Sequence, residues 1–244
     1  MTAFLGNILG SLLKSVYDML SSTGLETEHF SYYAMAIIIT TIIFKFVLLP
    51  VNLSQTQSSK KMTELQPLMQ DIQTKYKNDP QTQQRKLQEL YKEHNYKPTG
   101  GCLILLIQMP IIIAFFSVFR EPAKYAFTEP GMYEAMNKSF LWMNDLGNPD
   151  PFMWGLPLIA ALTTYLQSKI MMNPQKQAGT KANAQAQQAQ SMQKSMMYFL
   201  PVMIFFSARS FAGGLALYWV ISNLFSIVQQ LISNRSSGKV KEEK

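Results

Sequence analysis

Cysteine is nearly absent. Cys102 is the only one in the chain, which excludes an intramolecular disulfide and any cysteine-clustered zinc site. Histidine is scarce as well, with only His29 and His94, far apart in sequence. The N-terminus has no basic n-region with a small-residue cleavage site, as a signal peptide would, and no Arg/Ser bias, as a transit peptide would. No HExxH, GxSxG or phosphate-loop pattern occurs, so neither an enzyme nor a cofactor is expected. No internal repeat of the transporter kind is visible. Acidic residues are missing from every long apolar run.

What is present is apolar sequence in clumps. Hydrophobic residues make up 48% of 244 positions, and their uneven spread points to an all-α polytopic membrane protein, not a soluble core. Residues 32–53, YYAMAIIITTIIFKFVLLPVNL, are long enough to cross a bilayer, since about 20 residues at 1.5 Å each span the hydrocarbon. Lys45 sits inside this run. A lysine at mid-membrane costs about 2.5–3.5 kcal/mol on insertion scales, and normally faces a bundle interior or a wet cavity. Thr41 lies one turn earlier on the same face. Pro50 and Asn52 put the helix end close by, so snorkelling of the ammonium to the headgroups is the other reading.

The remaining segments follow in order. Residues 1–29 hold an amphipathic helix with Phe4, Ile8, Leu9, Leu13 and Val16 on one face, expected to lie apolar side down in the membrane interface. The first span covers 30–53. Residues 54–97 change character, with eight Lys/Arg and five acids. Met62, Leu65, Met69, Ile72 and Tyr76 follow a three-four spacing, and Leu87, Leu90 and His94 continue it. Asp79 can cap and Pro80 can start a second helix, giving a polar helical hairpin whose first arm Pro67 should kink. The second span is 98–119, a loop follows over 120–151, and the third span is 152–172. Trp142 and Trp154 read as interfacial anchors. A polar, low-complexity linker occupies 173–195. The fourth span, 196–206, is short and borrows from its flanks. A turn at 207–214 leads to the fifth span, 215–232, and a tail at 233–244.

Charge sets the orientation. The hairpin, linker and tail carry fifteen Lys/Arg, against five in the segments on the opposite side. The positive-inside rule puts the N-terminus outside and the hairpin and C-terminus in the cytoplasm.

Several blocks carry a resemblance: Lys45 with Pro50, LQPLMQ in the hairpin, PTGGCLILLIQMPI into the second span, NPDPFMWGLPLI into the third and GGLALYWVISNLFSIVQQ in the fifth. From about residue 30 to 235 the chain resembles the YidC/Oxa/Alb family of membrane protein insertases, and is most similar to the Gram-positive-type bacterial form without a large extracytoplasmic domain. The resemblance implies five spans around a hydrophilic groove open to cytoplasm and lipid. It puts Lys45 in the groove, where the family usually has Arg, with Thr41 and Trp219 beside it and Gln167 as a looser match. The hairpin would be the mobile part required for activity. The implied partners are nascent membrane proteins, the Sec translocon (SecYEG), membrane lipids and, as further candidates, the ribosome and the signal recognition particle receptor, with no DNA. The implied location is the bacterial cytoplasmic membrane.

Physical chemistry agrees with a groove. No acid in the spans can pair with Lys45, and an unpaired ammonium does not stay charged in dry protein. Water entering from the cytoplasm would keep it charged, with Gln108, Thr41, Gln167 and Asn223 as further polar lining. A small-solute transporter or channel is the alternative.

Overall fold

The structure, a computed structural model, describes residues 2–24, 26–96, 100–171 and 184–242. Among the described residues ten helices follow one another: α1 (Thr2–Ser21), α2 (Tyr32–Val47), α3 (Leu49–Lys75), α4 (Pro80–Glu93), α5 (Gly100–Arg120), α6 (Pro122–Tyr125), α7 (Met132–Ala135), α8 (Leu156–Met171), α9 (Ala184–Ala208) and α10 (Gly213–Glu242). Among the described residues the only β structure is isolated bridges. The expected all-α class therefore holds. By length and apolarity, Gly213–Asn234 is continuous enough to cross a bilayer, and the bent pair Tyr32–Val47 and Leu49–Met62 qualifies together. Met109–Arg120 and Met197–Ala208 are shorter apolar helices.

The first apolar run is not one straight helix over 30–53. It breaks at Leu48, with 59° between its two parts. The cause is local: Pro50 has no N–H for the Phe46 carbonyl and disfavours helical geometry in the residue before it. Leu48 closes α2 by donating to the Phe44 carbonyl at 3.1 Å. Lys45 thus lies in the last turn of α2, and the membrane helix turns directly into the first hairpin arm. Further on, α3 runs through Pro67 as one element.

The hairpin forms at the expected break. The Asp79 carboxylate accepts from the Thr82 N–H at 3.0 Å, and Pro80 opens α4. These bonds hold the Asp79 carboxyl below its ordinary range. Leu65, Leu90 and Tyr96 are the buried seam, backed by Met69, Ile72 and Tyr91. His94 is not in it: it is exposed and ends α4. Tyr91 and Tyr96 take that place, their hydroxyls donating to the sulfurs of Met69 (3.8 Å) and Met62 (3.2 Å).

On the other side, the segment between α5 and α8 is a packed cap. Ser31 ties the start of α2 to it: its N–H and hydroxyl both donate to the Ser139 carbonyl, at 3.1 and 2.8 Å. Phe127, Met143 and Leu146 are fully buried beneath it. The amphipathic helix α1 also differs from expectation. Leu9, Leu13 and Val16 are buried in the same core as residues of α2 and α5, so that stripe faces protein. Phe4 and Ile8 stay exposed. Gly10 permits this approach, because a Cβ there would strike the Tyr125 carbonyl.

Further helix ends move. The third apolar helix starts at Leu156, four residues later than expected, because Asp150 holds the preceding turn. Residues 173–183 of the expected linker, and residue 172 before it, lie outside the described residues; from Ala184 on, that stretch is already α9. Its Ala/Gln composition favours helix. Beneath the cap, Phe115 stacks on Tyr218 with ring centroids 3.9 Å apart, locking α5 to α10; such a pair contributes about 0.5–1.5 kcal/mol beyond area.

Candidate functional site

The site is organised by α10, which packs against α2 on one flank and α8 on the other. Trp219, Asn223, Ser226, Gln230 and Ser233 are spaced four, three, four, three. At 100° per residue they form one polar stripe down the helix. Its interhelical polar contacts go to the two flanks, while Ser226 and Gln230 also bond within α10, to the Ser222 carbonyl and the Asn234 side chain.

On the α8 flank, the Asn223 amide donates to the hydroxyls of Thr163 (3.2 Å) and Thr164 (2.9 Å). The Trp219 indole N–H donates to the Thr164 hydroxyl at 3.2 Å. Both threonines also donate to the Ala160 carbonyl, so the network is satisfied. Asn223, Thr163 and Thr164 are buried. Gln167 follows Thr164 by three residues and is half-buried.

On the α2–α3 flank, the Lys45 ammonium donates to the Ser226 hydroxyl at 3.1 Å. Among the described residues no carboxylate lies within ion-pair distance of Lys45. Further along, the Thr56 hydroxyl donates to the Gln230 side-chain oxygen at 3.3 Å. The Lys60 ammonium donates to the Ser233 carbonyl and hydroxyl at 2.8 and 3.0 Å. The hairpin arm is therefore stitched to α10 at its root.

The expected site residues thus divide. Lys45, Trp219 and Asn223 meet on the α10 stripe. Thr41 is buried and its hydroxyl is taken by the Ile37 carbonyl of its own helix at 2.6 Å, so it offers the site no free hydroxyl proton. The Gln108 side chain lies outside the described residues. Thr163, Thr164, Ser226, Gln230 and Thr56 were not expected as site residues. The heptad spacing of polar positions in 219–233 is the signal that finds the α10 members. Among the described residues no three His, Cys, Asp or Glu side chains converge to hold a metal ion.

Comparison with known proteins bears on this arrangement. The chain is 40% identical over 215 residues to the membrane protein insertase YidC 1 of Listeria monocytogenes serotype 4b, covering 86% of this chain and 67% of that protein. It is 39% identical over 220 residues to the membrane protein insertase YidC of Fusobacterium nucleatum subsp. nucleatum, covering 90% and 94% of the two chains. It is 38% identical over 216 residues to the membrane protein insertase YidC of Clostridium perfringens, covering 86% and 84%. The sequence model of the 60Kd inner membrane protein family matches residues 25–241, and with these identities the chain belongs to that family, the YidC/Oxa group.

Proposed function

We propose that this protein is a membrane protein insertase, working in the bacterial cytoplasmic membrane with five spans, its N-terminus outside and its hairpin in the cytoplasm. The polar stripe of α10, with an ammonium and no carboxylate beside it, carries this reading. Lys45 and the stripe form a hydrophilic groove open to the cytoplasm. The ammonium attracts the acidic, hydrophilic tail of a nascent membrane protein. Water and the hydroxyl and amide groups around it replace part of the hydration shell that the tail loses on leaving bulk water. The adjoining apolar segment then moves into lipid, where burying apolar surface at about 25 cal/mol per Å² drives the transfer. No covalent step is required. Trp219 and Asn223, fixed by Thr163 and Thr164, form the α8 wall of the groove; Thr41, Gln167 and Gln108 complete its surroundings. The Sec translocon, the ribosome and the signal recognition particle receptor are the proposed partners in delivery and release.

The test is site-specific crosslinking from positions 45 and 219 to a ribosome-stalled nascent membrane protein. Both positions should trap the client, and a position on the outer face of α8, such as 162, should trap it less. Clients with acidic translocated tails should insert through a Lys45→Arg variant and fail through Lys45→Glu, with Lys45→Ala between them. Equal insertion by the Glu and Lys forms would remove the electrostatic step.

A further inference from the structure

The turn before α8 is built around one buried charge. Asp150 is only 9% exposed, yet its carboxylate is satisfied on all sides. The Trp142 indole N–H reaches both oxygens at 3.1 Å. The backbone N–H groups of Phe152 and Leu156 donate to it at 2.9 and 2.7 Å. Charge-assisted bonds of this kind are the strong ones, so the turn is held firmly. Trp142, expected as an interfacial anchor, is half engaged inside the protein as a clamp on Asp150.

What the clamp presents outward is apolar. Phe152, Met153 and Trp154 are consecutive and 57%, 37% and 69% exposed. The neighbouring loop adds Phe30 and Leu141, each 40% exposed. These parts are physically joined: the Leu141 N–H donates to the His29 carbonyl at 2.7 Å, and Phe30 packs edge-on against Phe140. Leu141 has φ +50°, a left-handed conformation that costs a bulky residue about 1–2 kcal/mol. A strained leucine directed into the open marks a surface with a task. The same exposed character continues down α8 at Leu162 and Leu166, one turn apart. The rim sits at the end of α5 opposite the hairpin.

We propose that Phe30, Leu141, Phe152, Met153 and Trp154 form a lipid-docking rim, seated in the headgroup–acyl boundary of the leaflet away from the hairpin. Trp and Phe bodies suit that layer. The attraction is apolar, because the loop 120–151 carries five acids against three bases and gains nothing from anionic headgroups. Asp150 makes the rim rigid, so it sets the depth of α8 and with it the height of Thr163 and Thr164.

The full chain tests this in a Cys102→Ser background. Single cysteines replace Met153 or Trp154, and Glu134 on α7 serves as the exposed control. Each is spin-labelled and reconstituted in phosphatidylcholine vesicles, with and without phosphatidylglycerol. Labels at 153 and 154 should collide several-fold more with oxygen, relative to a water-soluble nickel chelate, than the label at 134. The result should be the same in both lipid mixtures. Water accessibility at 154 equal to that at 134 would overturn the proposal. So would immersion that needs phosphatidylglycerol, or shielding that occurs only in native membranes, which would put a protein partner on the rim.

Discussion

The cap between α5 and α8 and the hairpin of α3 and α4 are opposite ends of one molecule, built to different standards. The cap shares a core with α1, α2, α5 and α10 that buries Tyr33, Phe115, Phe127, Met143 and Leu146 almost completely. Among the described residues, the apolar cluster of the hairpin buries Leu65, Leu90 and Tyr96. A cluster that small can melt by itself without unfolding the rest. The fold therefore concentrates its packing at the cap end and leaves the hairpin end more lightly packed.

The sharpest way to separate the two ends is to delete residues 60–95. Client insertion should be lost while the remaining helices still assemble, as read by an unchanged protease-resistant core. Loss of that core would mean the hairpin is part of the folding unit. Point substitutions give a second contrast. Phe127→Ala should lower the main unfolding transition by about 3–5 kcal/mol, the usual range for emptying a fully buried phenylalanine site. Leu90→Ala should raise hydrogen exchange only in 58–96 and leave that transition in place. A smaller effect is expected midway: Asn223→Ala removes two hydroxyl contacts within the membrane region, worth about 1 kcal/mol by analogy with measured interhelical bonds, and should loosen α8 from α10 without touching either end. The smallest effect is pH-dependent. Because the Asp79 carboxyl is held below its ordinary range, its cap is at full strength above the usual carboxylate pKa. That contribution fades as pH falls through the lowered value. Hairpin helicity should fall in acid, and an Asp79→Asn variant should flatten the profile.

Local chemistry was legible in the sequence. Asp79 and Pro80 need only each other and Thr82 to start α4, so the hairpin break could be read directly. The apolar spacing of Leu65 and Leu90 survives for the same reason. Contacts between distant segments were not legible. His94 fits the seam spacing, but the chain turns at Asn95, whose φ is +49°, and Tyr96 swings in instead. Asp150 reads as an ordinary loop acid until Trp142, eight residues earlier, is folded over it. Of the site, Lys45 was conspicuous as a charge in an apolar run, whereas Thr163 and Thr164 gained meaning only when Trp219 and Asn223 were found against them. Pro50 was visible as a helix breaker, but where the resulting 59° turn carries α3, with Thr56 and Lys60 against Gln230 and Ser233 of α10, was not.

The start of α10 carries a mechanical consequence. The N–H of Gly213 donates to the Asn148 carbonyl at 2.8 Å, and that of Gly214 to the Leu146 carbonyl at 2.9 Å. A Cβ on Gly213 would collide with Met143, so the helix end is seated tightly in the cap. A helix clamped this way can neither slide nor screw about its axis without breaking both bonds. Under the proposed function α10 is then a fixed post, and its polar stripe a stationary rail: the client moves along it while the rail stays still, so no part of the transfer has to be driven by a stroke of the protein itself.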